Sequence, residues 1–290
     1  MVSMAGQLRE RLGQDGIIVA PGAYDMMSLL LANQHQFSAH YASGYWVTAS
    51  ILGLPDVGIA TYRDFITQFA RLAQASSAPL IADADTGFGS LVNLDHATRG
   101  YQDANIAAMQ IEDQCFPKVC GQHGATEICS IEEMQQRVKV SCTARDGGDM
   151  LIIARTDARR SEGRNAALNR LGAYADAGAD IVFLEAPKDA CEIEEAAQHL
   201  KKPLMINAAH GGHGTILNPS QYASLGVKII IYPSGPALAA AKASDNFYGM
   251  LAADDANSNC DGMFDFPRMS SLLGFDDAVM LEQSFNQKDN

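Results

Sequence analysis

The sequence predicts a parallel (β/α)8 barrel, and three observations carry the prediction. Eight short apolar runs alternate with helical patterns, and each run is apolar throughout rather than at every second residue. The chain length, 290 residues, is typical of that architecture. A doubly wound open sheet is the competing reading. It would carry a glycine fingerprint at the first strand-to-helix turn, and "APGAYDMMS" is not one.

The strands are expected in "IIVAPG" from 17, "SAHYASG" from 38, "PLIADAD" from 79, "AAMQIED" from 107, "MLIIARTD" from 150, "IVFLEAP" from 181, "PLMINA" from 203 and "VKIIIYP" from 227. Helical punctuation falls between them. Thr61 opens a segment with Phe65, Ile66, Phe69 and Leu72 on one side, and Ser130 with Glu133 has capping-box spacing. Gly178 and Gly226 sit where helices end, and Asn218 before Pro219 reads as an N-cap with proline at the first helical position. With no internal repeat or linker, residues 1–250 are expected to form one catalytic barrel and 251–290 a helical tail that packs on a neighbouring subunit.

A net charge of −13 opposes nucleic acid and anionic membranes as partners and favours a small-molecule enzyme. There is no apolar run of membrane-spanning length, and the start "MVSMAGQLRERLGQDG" lacks the apolar centre of a secretory signal. A cytoplasmic location is therefore expected. The six cysteines are unevenly spaced and read as reduced thiols.

Catalytic groups of such a barrel lie at the carboxyl ends of its strands. Those positions hold Ser43, Gly44, Asp83, Asp85, Glu112, Asp113, Arg155, Glu185 and Asn207, nearly all polar. One such residue could simply solvate a rim; six polar strand ends need a ligand or an ion to satisfy them. The acids suit a hard divalent cation, Mg2+ or Mn2+. Without one, Asp83 and Asp85 would only end a strand in a capped turn. Arg155 offers a fork that matches a carboxylate, although an ion pair with Glu185 or Glu112 would also explain it.

Residues 112–130, "EDQCFPKVCGQHGATEICS", form a long polar loop placed as a lid over the mouth. Lys118 lies two residues before Cys120, where its ammonium would ready the thiol for proton exchange. A zinc cluster of Cys115, Cys120, His123 and Cys129 lacks the paired short spacings of structural zinc sites. "HGGHG" at 210–214 reads most safely as a turn.

Together "SGYWVTASILGLPDVGIAT", "IADADTGFGS", "IEDQ" followed by "PKVCGQH", "IIARTDA", "FLEAP" and "MINAAHGG" resemble the isocitrate lyase and phosphoenolpyruvate mutase superfamily, and within it the short methylisocitrate, dimethylmalate and petal-death lyases. The resemblance runs from about 15 to 245. It implies a Mg2+-dependent barrel with its last helix exchanged between subunits of a homodimer or homotetramer. It also implies that Asp83 holds the metal, with Asp56, Asp85 and Glu112 on the metal's waters. Ser43, Gly44 and Tyr45 would receive a substrate carboxylate, with Arg155 opposite. Gly121, His123, Glu185, Asn207 and His210 would line the rest of the substrate site.

The implied reaction cleaves the bond between the second and third carbons of a substituted malate, giving a 2-oxo acid and a shorter carboxylic acid. Cys120 would protonate the departing carbanion, and Tyr41 would help take the hydroxyl proton, unless it only packs. Two departures fall on the substrate side: Gln122 separates "KVCG" from His123, and His210 stands where the family has glutamate. Oxaloacetate decarboxylation or hydrolysis is the first alternative; Pro233 argues weakly against the hydrolases, which tend to have serine near that point. A non-catalytic 2-oxo acid binding protein is the second.

Overall fold

The computed structural model describes residues 2–120, 127–208, 210, 216–253 and 262–286. All eight expected strands are present: Ile18–Pro21 (β1), His40–Ala42 (β2), Leu80–Asp83 (β3), Ala108–Glu112 (β4), Leu151–Thr156 (β5), Ile181–Leu184 (β6), Leu204–Asn207 (β7) and Ile229–Tyr232 (β8). In chain order the helices are Met4–Gly13 (α1), Met26–Asn33 (α2), Gly44–Leu52 (α3), Tyr62–Ala75 (α4), Leu91–Asp103 (α5), Ile131–Ala144 (α6) and Ala158–Ser161 (α7). They continue with Arg164–Asp176 (α8), Ala190–His199 (α9), Pro219–Ser224 (α10), Gly235–Ala252 (α11), Phe266–Leu272 (α12) and Phe275–Asn286 (α13).

Every strand pairs in parallel with its sequence neighbour, and β1 pairs with β8 in register Ile18 to Ile229. The last seam, β1 to β2, is a single bridge between Gly22 and Tyr41. Glycine is needed there, because a Cβ at residue 22 would stand 2.4 Å from the Pro233 carbonyl oxygen. The result is a nearly closed (β/α)8 barrel.

Helix ends follow the local chemistry closely. Thr61 and Asp64 cap α4 reciprocally, as do Asn218 and Gln221 at α10. At α6 only half the expected box forms. Ser130 accepts from the Glu133 amide, but the Glu133 carboxylate reaches Arg137 at 2.7 Å instead of turning back.

The apolar residues divide by strand parity. Ile152, Ala154, Val182 and Leu184 point outward to helix faces carrying Phe65, Phe69, Leu171 and Tyr174. Ile18, Tyr41, Ile81, Leu151, Ile153, Phe183, Met205 and Ile231 fill the barrel, and α1 closes its amino-terminal end with Ala5 and Leu8. Two residues further along the same inward parity the side chains become polar: Ile81 gives way to Asp83, Ile153 to Arg155, Phe183 to Glu185 and Met205 to Asn207. The packed interior thus ends in a floor beneath a polar mouth.

Contacts divide the chain into two compact units, Met1–Ala237 and Leu238–Asn290. In the second, α12 packs on α13, while Tyr248, Phe266, Leu273, Phe275, Met280, Leu281 and Phe285 are exposed. No described helix is long and apolar enough to cross a membrane.

Candidate active site

Asp83, at the end of β3, is held on both carboxylate oxygens. Oδ2 accepts the Gly44 amide at 3.1 Å, while Oδ1 accepts the Asp85 amide and the Gln110 side-chain amide, each at 3.1 Å. Gly44 has no room for a side chain, since a Cβ would lie 3.0 Å from Asp83 Oδ2 and 2.8 Å from Phe65. Ser43, the N-cap of α3, makes no capping bond with its hydroxyl, and Tyr45 follows on the first turn, half-buried against Trp46. A helix amino terminus therefore faces the acids, an end that favours anions.

Lys118 is buried and forms a bridge. Its Nζ lies 2.5 Å from Asp56 Oδ2 and 2.8 Å from Asp85 Oδ1. Beyond it, the Cys120 amide donates to the Asp56 carbonyl at 3.2 Å, and Cys120 is near enough to Tyr45 to help raise that phenol's pKa, after the larger effect of burial. On its outer flank the Asp85–Lys118 pair borders a cavity walled by Tyr62, Phe88 and Phe116.

Arg155 closes the opposite side. Its Nε and Nη2 bind the Asp157 carboxylate at 2.9 and 2.8 Å, with Glu112 at 3.5 Å and Glu185 at 3.9 Å. Both ion pairs anticipated from the sequence are thus present, at the longer distances. Asn207 reaches Glu185 at 3.4 Å and leaves its own Oδ1 buried without a hydrogen bond. His210 is exposed, its ring 5.7 Å from that of Tyr232. Gly121, Gln122 and His123 lie outside the described residues.

Tyr41 reaches Asp83 through one intermediary. Its hydroxyl donates to Gln110 Oε1 at 2.7 Å, and Gln110 in turn binds Asp83. Burial first, then the nearby Asp83, push the phenol well above its ordinary pKa of 10, so it stays protonated.

Asp56, Asp83, Asp85, Glu112, Asp157 and Glu185 are all buried, and among the described residues Lys118 and Arg155 form the ion pairs with them. Burial raises the Asp85 carboxyl to about 7 against the pull of Lys118, and raises Glu112 well above its ordinary value against Arg155. For Lys118 burial acts downward, but Asp85, Glu112 and Asp56 reverse it and hold the ammonium firmly protonated.

This donor set fits a hard cation. Acids outnumber cations, every candidate ligand is an oxygen, and Glu112 Oε1 is buried with no hydrogen-bond partner. Among the described residues no three of these acids form a ready-made cage. Mg2+ needs none, because it takes one or two protein carboxylates and keeps several waters.

Sequence reasoning missed Gln110 and Asp157. Gln110 had a visible signal, a polar residue at inward parity inside an apolar run; Asp157 had only its closeness to Arg155.

The phosphoenolpyruvate phosphomutase family model matches residues 8–251. The chain belongs to the PEP mutase/isocitrate lyase superfamily. Within that superfamily, it is 36% identical to the 2,3-dimethylmalate lyase of Eubacterium barkeri, over 98% of this chain and 99% of that protein. It is also 36% identical to the 2-methylisocitrate lyase of Bacillus subtilis, over 93% and 88%. Among solved superfamily structures, oxaloacetate acetylhydrolase with 3,3-difluorooxalacetate superposes with a TM-score of 0.93 at 29% identity, covering 98% of each chain. Phosphonopyruvate hydrolase with oxalate and Mg++ gives 0.87 at 28%, covering 97% and 98%.

Proposed function

We propose that this chain is a Mg2+-dependent carbon–carbon lyase that splits a substituted malate, of the 2-methylisocitrate or dimethylmalate kind, into a 2-oxo acid and a shorter carboxylic acid. The observation that carries the reading is the pairing of an acid-lined mouth with a cysteine, Cys120, on the loop beside it, in a chain 36% identical end to end to a 2,3-dimethylmalate lyase.

Asp83, locked by Gly44, Asp85 and Gln110, would hold the metal, with Asp56, Asp85 and Glu112 binding its waters. When bound, Mg2+ supplies Lewis-acid stabilisation to the oxygens of the 2-oxo acid portion. Ser43, Gly44 and Tyr45 set the α3 terminus against one substrate carboxylate, and Arg155 takes another. Glu185, Asn207, Gly121, His123 and His210 complete the substrate side. Tyr41 steadies Asp83 through Gln110.

As the carbon–carbon bond breaks, its electron pair passes to the carbon that becomes the shorter acid, and the substrate hydroxyl gives its proton to a carboxylate of the acid-lined mouth as the ketone forms. Cys120 gives its thiol proton to that carbon, and Lys118 keeps the resulting thiolate in a positive field. Cys120→Ser is expected to lower turnover by about 100-fold or more and to leave Mg2+ and 2-oxo acid binding intact by calorimetry. Full activity of this variant would remove Cys120 as the acid.

Oxaloacetate cleavage is the second reading, favoured by the likeness to oxaloacetate acetylhydrolase. Incubation with oxaloacetate and, separately, with 2,3-dimethylmalate and 2-methylisocitrate, with products followed by NMR, decides between them. The exposed apolar side chains of α12 and α13 support the reading of the tail as a subunit contact in a homodimer or homotetramer. Mass measurement by light scattering tests it. A cytoplasmic location belongs to the same reading.

A further inference from the structure

Arg155 and the acid beside it share more geometry than an ion pair requires. Asp157 is the N-cap of α7, a position where an aspartate ordinarily accepts from the first-turn amides, yet its side chain makes no capping bond. It turns back to Arg155 and takes the Nε–Nη2 edge with both oxygens, at 2.9 and 2.8 Å. The Asp157 amide is fixed in turn by Asp113 Oδ1 at 3.0 Å. Asp113 Oδ2 accepts from the hydroxyls of Thr156 at 2.6 Å and Tyr174 at 2.8 Å. Tyr174 also receives Arg170 at 3.2 Å, which ties the assembly to α8.

A guanidinium has five N–H donors in a rigid plane. With the Nε–Nη2 edge occupied, the hydrogens of Nη1 and the outer hydrogen of Nη2 remain, and Nη1 makes no hydrogen bond to a described residue. We propose that Asp157 is a positioning residue that blocks the side edge of Arg155 and confines a substrate carboxylate to its Nη1–Nη2 end. Asp113 sets the backbone from which Asp157 does this. The inference rests on the reading that Arg155 binds a substrate carboxylate.

The consequence separates binding from turnover. Without Asp157 a carboxylate can use either edge of Arg155, so ligands still bind, but the substrate no longer sits in one orientation. Misplacement on the order of 1 Å can cost about 100-fold in rate.

The experiment uses the full-length chain with Mg2+. It compares wild type, Asp157→Asn, Asp113→Asn and Arg155→Ala by kcat and KM on whichever of 2,3-dimethylmalate, 2-methylisocitrate and oxaloacetate the wild type cleaves, oxalate affinity by calorimetry, the 15N resonance of Arg155 Nε, and urea midpoint. For Asp157→Asn, kcat should fall about 100-fold, KM and oxalate affinity should stay within about threefold or tighten, and the Nε resonance should shift. Asp113→Asn should move the same readouts less far. Unchanged kcat in Asp157→Asn, or loss of kcat and oxalate affinity together with an unmoved Nε resonance in the folded protein, overturns the proposal. Arg155→Ala tests the underlying reading separately: undiminished activity there refutes the carboxylate role of Arg155, whereas an inactive Arg155→Ala beside a normal Asp157→Asn refutes only the positioning role.

Discussion

The β5 end and the β4–α6 loop each bring one cation to the same ring of acids, and they hold it in different ways. Arg155 stands on a strand, clamped by Asp157 and flanked by Phe183, whose ring centroid is 5.3 Å from the guanidinium. Lys118 stands on a loop, tied by ion pairs to Asp56 and Asp85, residues 62 and 33 positions distant in the chain. The first is a fixed fork whose partners are next to it in sequence and in register. The second is a point charge that a competing cation can displace from its acids, because its contacts with Asp56 and Asp85 lack the two-point geometry of a planar fork.

Breaking the fixed side should cost most. Arg155→Lys keeps the charge but loses the planar fork, and kcat/KM should drop by about 100- to 1000-fold, measured by steady-state kinetics. A drop below tenfold would mean that charge alone suffices and the two cations are equivalent. Lys118→Met removes the ammonium and keeps the stem. Turnover should fall by about 10- to 100-fold, while Mg2+ should bind more tightly, by roughly threefold to tenfold, since Asp56 and Asp85 lose their competing charge. Calorimetric titration reads the second effect directly, and weaker Mg2+ binding would contradict the displaceable-charge view.

His40 sharpens the comparison from outside the mouth. Among the described residues it is a buried base with no carboxylate partner: Nδ1 contacts Ser76 Oγ at 2.8 Å and Nε2 is unsatisfied. Burial alone lowers its pKa from 6.5 to about 4, the reverse of Lys118. Because the folded value lies below the unfolded one, its contribution is fully present above pH 6.5 and is lost as the pH falls toward 4. Thermal melts from pH 7 to 5 should show a decline of a few degrees, and His40→Gln should flatten that part of the curve. An unchanged slope in the variant would assign the decline to other groups.

Legibility followed the range of the interactions. The eight strands were readable because a buried parallel strand is an apolar run, and Asp83, Asp85, Glu112, Arg155 and Glu185 because each interrupts such a run at its carboxyl end. Gln110 was not read, since its partner Tyr41 is 69 residues away and its other partner, Asp83, is 27 away. Asp113 appeared only as one more acid at a strand end, because the hydroxyls that satisfy it come from Thr156 and Tyr174 on later elements. The lysine of the loop was singled out for its cysteine neighbour, whereas its ion pairs depend on where three separate loops meet.

The barrel below the acids is solid, filled by Ile81, Ile153, Phe183 and Met205 and stoppered by α1. A cleavage enzyme built on it has no back exit. Both fragments of a broken substrate must depart through the opening by which the whole one arrived.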